Sequence, residues 1–223
     1  MMAVKEKSTK KKDTGKAPSR DSIMTAYMQL VLESEKLPGS LYKFCKDLKM
    51  SEAEFYQHFG SFESLQKSIW VAFFDETMKI ISNSEEYEMF SKREKLLTFY
   101  FTMFEILTLN RSYILFTLKS PLDLAQLAQL RLSFKTYMTS LSELSTNDQE
   151  QVKHYSAKAV EELGWAQFLV ILRFWIKDDS ASFEKTDVMI EKTINTTFDL
   201  VDTTPIKSVI DYAKFLFKET VGK

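Results

Sequence analysis

The scarcity of chain-breaking residues constrains this chain most. Between residues 61 and 204 there is one glycine, Gly164, and one proline, Pro121. Tight turns draw on these two residue types for positive or fixed φ values, so a stretch this poor in them has few places to reverse direction. Long helices are expected, and the fold class is predicted to be all-α. The chain has 223 residues, 44% of them hydrophobic and 13% aromatic, enough apolar surface to bury a substantial core.

Cap signals divide the helices. Asp21 or Ser22 is expected to open the first, with Ile23, Tyr27, Leu30 and Val31 on one face. It should end before Leu37-Pro38-Gly39. Ser40 caps a short helix that turns Leu41, Phe44, Cys45 and Leu48 inward. Ser51 with Glu54, and Ser91 with Glu94, have the spacing of capping boxes. Gly60 closes the third helix, and Ser61 opens a fourth, to about residue 82, with Leu65, Ile69, Ala72, Phe73 and Ile80 apolar. A further helix is expected from Ser91 to about residue 108, then a shorter one over residues 111–119. Ser120-Pro121 reads as a cap followed by proline at the first helical position, leading to about residue 144. Thr146 with Gln149 suggests a third box and a helix to about 177. Residues 182–202 should form another, and Thr204-Pro205 the start of the last.

The formal net charge is −1, unevenly spread. Residues 1–20 hold seven basic and two acidic residues, a net +5, which leaves −6 for the remainder. That segment reads as a disordered basic arm, suited either to tracking phosphates or to serving as a solubilising tail. No apolar run follows it, so a secretory signal is not expected. The apolar run over residues 163–176 contains Gln167 and Arg173 and is too short to span a bilayer. A soluble protein without a membrane partner is expected. A single cysteine, Cys45, rules out an internal disulfide framework and suits the cytoplasm.

Two short helices joined by a tight turn, with a longer one before them, have the geometry of a helix-turn-helix, whose second helix presents its N-terminal side chains to the major groove. The stretch SLYKFCKDLKMSEAEFYQHFGSFESL goes further than that generic pattern. Ser40 as a hydroxyl opener, the Phe44-Cys45 pair, the Ser51 cap, and the ending Tyr56, His58, Phe59, Ser61, Glu63 and Leu65 resemble the N-terminal signature of the TetR family of transcriptional regulators. The likeness spans roughly residues 21–70 and is most specific in its second half.

The resemblance implies a homodimer that binds double-stranded DNA at a palindromic operator, with a small molecule in the C-terminal domain altering the spacing of the two heads. It implies phosphate contacts at Ser40, Tyr56 and His58, and base-facing positions at Glu52, Ala53, Glu54 and Gln57. Three positions depart from the family pattern. Lys49 stands where the turn usually has glycine, Phe62 where a phosphate-holding lysine opens the fourth helix, and Glu52 and Glu54 where neutral or basic residues are usual.

The glutamates have two readings. Glu54 stands three residues after the cap, and Glu52 meets the positive end of the helix dipole, so both can simply support the helix start. A carboxylate can also accept from cytosine N4 in the major groove. Residues 21–67 carry five basic and seven acidic residues, a net −2. DNA affinity rests on phosphate neutralisation, so binding is expected to lean on the arm and on Lys43, Lys46 and Lys49.

The C-terminal region, residues 68–223, is expected to hold the effector site and the dimer interface. Residues 163–176 are apolar nearly all round the helix, so that Trp165, Phe168, Leu169, Leu172 and Trp175 are candidates for pairing with a second copy, or simply for burial in a large core. Phe101, Phe104, Tyr113, Phe116, Tyr137 and Met138 form an aromatic and methionine-rich belt, either plain core or the lining of a pocket for a small apolar ligand. Arg173, alone among hydrophobes, is a candidate to hold a carboxylate, or else a buried pair or snorkelling side chain. Arg111 and Arg131 are expected on the surface.

No metal spacing, phosphate-cradling glycine loop or nucleophile motif occurs, so no catalytic residue, metal or cofactor is assigned. The reading is a ligand-controlled DNA-binding regulator. The alternative is a protein of the same fold that has lost DNA binding and carries lipids or other hydrophobic ligands.

Overall fold

A computed structural model describes residues 18–118, 124–143 and 157–203. The chain divides into two compact units, with the break between Phe62 and Glu63. Among the described residues there is no strand, so the all-α class holds, including for TFYFTMFEILTL, whose aromatics also fit a strand.

The first unit holds three helices, α1 (Arg20–Ser34), α2 (Leu41–Asp47) and α3 (Glu52–Tyr56), and the first residue of α4 (Phe62–Ser82). α1 begins two or three residues earlier than its sequence signals indicate, because Ser19 is the cap and its hydroxyl accepts from the Ser22 N–H. Ile23, Tyr27 and Val31, four residues apart, point inward with no exposure. Phe44 and Cys45 of α2, with Phe55 and Phe59, are buried as well. The rings interlock edge to face: Tyr27 on Phe44 at 6.0 Å and Phe44 on Phe55 at 6.2 Å.

The second unit continues α4, then a short 3-10 turn (Glu85–Met89), α5 (Lys92–Leu109), α6 (Arg111–Thr117), α7 (Ala128–Glu143), α8 (Ala157–Lys177) and α9 (Glu184–Thr203). Ile80 proves exposed, and its neighbour Ile81 takes the inward place. The Ser91–Glu94 capping box forms, with the Ser91 N–H donating to Glu94 Oε2 at 2.8 Å and the Glu94 N–H to Ser91 Oγ at 3.3 Å. The Ser120-Pro121 start, the Thr146–Gln149 box and the final helix from Thr204-Pro205 lie outside the described residues.

α5, α7 and α8 enclose a continuous aromatic core. Phe99 stacks on Tyr137 at 4.7 Å, Phe134 lies 5.6 Å from Phe168, and Phe168 stacks on Trp165 at 5.4 Å. Each fully buried ring of this kind contributes on the order of 2–3 kcal/mol. α7 and α8 pack tightly at Gly164, where an added Cβ would lie 2.7 Å from Met138 Cε. The bare backbone there also lets the Tyr100 hydroxyl donate to the Gly164 carbonyl at 3.3 Å. Along the flank of the same pair, Arg131 and Lys135 bind Glu162. Among the described residues no helix is long and apolar enough to cross a membrane.

Candidate functional site

The turn between α2 and α3 is built by backbone geometry. The Lys49 N–H donates to the Lys46 carbonyl at 3.1 Å and the Met50 N–H to the Cys45 carbonyl at 3.0 Å, the bond pair of a Schellman stop. That stop needs one residue in the left-handed region, and Lys49 takes it at φ 56. Lysine thus adopts the conformation glycine usually supplies there, at a cost of roughly 1–2 kcal/mol. Buried Met50 anchors the turn from below, and the Lys49 side chain is exposed.

Ser40 caps α2, its hydroxyl accepting from the Lys43 N–H at 3.3 Å. Tyr42, Lys43 and Lys46 are exposed along α2. On α3 and the two residues after it, Ala53, Tyr56 and Gln57 are exposed, while Glu52, Glu54 and His58 are half-buried. The His58 carbonyl accepts from Arg20 Nη1 at 3.0 Å, and the Arg20 guanidinium lies 4.6 Å from the Phe59 ring centre. α1 is thereby tied to the end of the motif.

The two glutamates have different surroundings. Glu54 closes the capping box with Ser51: Oε2 accepts from the Ser51 N–H at 2.7 Å and from its hydroxyl at 2.8 Å, and the Glu54 N–H returns to Ser51 Oγ at 3.2 Å. These bonds from Ser51 hold the Glu54 carboxyl below its ordinary range. Burial, with Glu52 and Glu54 nearby, pushes the Cys45 thiol up, so it stays a protonated core group.

Phe62 is a packing residue. Its ring lies 5.5 Å from Tyr27, 5.5 Å from Phe44 and 5.9 Å from Phe55, closing the aromatic cluster of the head. The position where the family signature places a phosphate-holding lysine serves the core here.

In the second unit the candidate pocket residues separate. Phe104, Tyr113, Tyr137 and Met138 are buried. Phe101 and Phe116 are about two-fifths exposed, because α5 turns Tyr100 and Phe104 inward and α6 turns Tyr113 and Thr117 inward, which leaves these two rings on the opposite sides. Neither lines the interior. Tyr137 donates to the Lys95 carbonyl at 3.1 Å and lies 3.0 Å from the Tyr87 hydroxyl; burial pushes both phenols up, so they stay neutral.

Arg173 lines a surface cleft of about 480 Å³ instead, with Val170, Phe174 and Lys177 of α8, Asp178, Asp179, and Lys185 and Met189 of α9. Trp165, Phe168, Leu169, Leu172 and Trp175, the candidate pairing residues, are all buried within the single chain. A helix apolar all round has its deepest face claimed by its own core, so these side chains are not available to a second copy.

Two residues mattered more than their sequence context indicated. Arg111, expected on the surface, lies over both the Trp175 and Phe183 rings, 4.5 and 4.6 Å from their centres. It donates to the carbonyls of Trp175, Ile176 and Asp178, at and just past the end of α8, where helix carbonyls run out of intrahelical donors. Asp178 then starts α9. Its carboxylate accepts from the N–H and hydroxyl of both Ser180 and Thr186. Between them Ser182 and Phe183 are held at φ 52 and 59, where a simple helix start at Ser182 was expected. An arginine two helices away and an aspartate four residues before the expected start leave no local spacing signal. Arg131 is likewise engaged, at 2.8 Å from Glu162.

Among the described residues no group of His, Cys, Asp and Glu side chains is arranged to hold a metal. No curated protein matches the chain, and no solved structure does. Residues 95–216, more than half of the chain, match the family model described as the tetracyclin repressor-like C-terminal domain. With the signature residues of the first unit and the all-helical second unit beside that match, the chain belongs to the TetR family.

Proposed function

We propose that the protein is a homodimeric cytoplasmic regulator that binds a palindromic operator in double-stranded DNA and is controlled by a small apolar ligand. The observation that carries the reading is the surface of α2 and α3. Lys43, Lys46 and Lys49 are exposed there together with Tyr42, Ala53, Tyr56 and Gln57. Cations to meet phosphates beside short polar and aromatic tips to meet base edges are what groove binding requires. Ser40, Ser51 and His58 flank this surface and, with Tyr56 on it, are further phosphate contacts. Glu54 supports the helix start.

The head itself is acidic, so the arm and the three lysines supply the electrostatic term. The experiment is selection from random duplex DNA, then titration of the selected duplex with the full chain and with a chain lacking residues 1–17, which keeps the Ser19 cap. Enrichment of a palindrome is expected, with weaker binding and a shallower salt dependence for the truncated chain. No enrichment at low salt would overturn the reading.

The second copy is assigned to the accessible face of α8 and α9, with Val170, Arg173, Phe174 and Met189 at its centre. A two-fold interface must complement itself. Here Arg173 and Lys177 at the end of α8 would meet Glu184, Asp187 and Glu191, which α9 carries on exposed positions. Phe174→Glu should turn the dimer into a monomer by light scattering. The ligand is assigned to the interior near Phe104, Tyr113, Tyr137 and Met138, where an apolar molecule would find aromatic walls.

One observation favours the second reading, a hydrophobic-ligand carrier without DNA binding: Phe62 packs in the head core where a phosphate lysine would help DNA binding. Failure to enrich any DNA, with an apolar molecule copurifying by mass spectrometry, would support it.

A further inference from the structure

We infer that Glu52 is the specificity residue of the head and reads a cytosine, whose N4 amino group donates to its carboxylate in the major groove. The inference rests on the DNA-binding reading above. The two glutamates at the start of α3 are chemically alike and two residues apart, yet the fold uses them differently. Glu54 is folded back over its own helix, with Oε2 held by the Ser51 N–H and hydroxyl at 2.7 and 2.8 Å. That carboxylate completes the capping box. Glu52 stands at the first helical position, half-buried like Glu54, but with no hydrogen bond or ion pair among the described residues.

The base edges decide what such a group can accept. Guanine shows two acceptors in the major groove and thymine an acceptor and a methyl group. Adenine sets its donor beside an acceptor, and cytosine shows a donor alone. An ionised carboxylate has only acceptors. Cytosine is therefore the one base whose edge it matches without facing a second acceptor. Nearby phosphates repel the carboxylate on every sequence, so its presence lowers non-specific binding and is offset only where the cytosine contact forms. Gln57, exposed on the same helix, carries both a donor and an acceptor and suits adenine.

The test uses the full chain in selection from random duplex DNA, repeated with Glu52→Gln, Glu52→Ala and Glu54→Gln, each checked by thermal melting for folding. The wild-type palindrome should carry one strongly preferred C·G pair in each half-site. Glu52→Gln should move that preference to A·T, because an amide pairs with adenine, and should weaken binding to the original site by roughly ten- to a hundredfold. Glu52→Ala should erase the preference there and raise affinity for unrelated duplex. Glu54→Gln should melt at a lower temperature while the selected sequence keeps its cytosine. If the palindrome is selected but stays unchanged in both Glu52 variants, or if Glu54→Gln is the variant that moves it, the assignment to Glu52 is overturned and the regulator reading stands. If the wild-type chain selects no sequence, both are overturned.

Discussion

The Arg111 guanidinium lies 4.5 Å from the Trp175 ring centre and donates to the carbonyl oxygen of that same residue at 2.8 Å. One side chain thus grips both the flank and the backbone of the last turn of α8, and it does so from the first residue of α6. The helix end has carbonyls without intrahelical partners, and a cation is favoured there by the dipole as well.

Arg111→Ala should therefore cost about 2–4 kcal/mol, combining the lost charged hydrogen bonds with the lost ring contacts. Arg111→Lys should recover a minor part, since an ammonium lacks the planar fork that reaches three carbonyls. Urea unfolding of the three proteins measures both differences.

Asp178 predicts an acid-sensitive corner. Burial alone would raise its carboxyl, but hydrogen bonds from the side chains and backbone of Ser180 and Thr186 outweigh it and bring the group to about 2. A carboxyl lowered in the folded state stabilises it above the unfolded value, near 3.9, and that contribution is lost as pH falls towards 2. Melting temperature should fall between pH 4 and pH 2, and Asp178→Asn should flatten that part of the profile while melting lower at pH 7.

Lys49→Gly should raise the stability of the head by about 0.5–1 kcal/mol, the relief of the left-handed lysine less the added freedom of the unfolded chain. The same variant removes a cation from the proposed DNA face, so its salt slope for operator binding should shrink by about one. Denaturation and titration of one preparation give the two opposite signs.

Phe62→Lys should destabilise the head by about 1–3 kcal/mol, because the ring it removes contacts Tyr27, Phe44 and Phe55. Phe62→Leu, apolar and of similar size, should recover much of the loss, as judged by chemical denaturation followed by near-UV circular dichroism. A lysine variant as stable as the wild type would count against the packing role.

What the sequence disclosed follows the range of the forces involved. The capping boxes at Ser51 and Ser91 and the unusual backbone at Lys49 depend on residues within a few positions, so local spacing reveals them. Which side of an all-apolar helix faces its own core is decided by partners far along the chain. Trp165 and Trp175 therefore read equally well as core or interface until Phe104 and Phe134 are seen packed against them. Phe101 and Phe116 misled for the same reason, since a run of rings does not say which ring points inward. Arg111 and Asp178 were hidden by distance and by an irregular turn.

The contact between Gly164 and Met138 makes two positions share one allotment of space. Any side chain larger than hydrogen at 164 must displace the methionine methyl, and a shorter residue at 138 would open room for it. Substitutions at the two sites should therefore be accepted in pairs more readily than singly, with the smaller residue at 138 arriving first. This one contact between α7 and α8 thus sets an order in which this part of the protein can change.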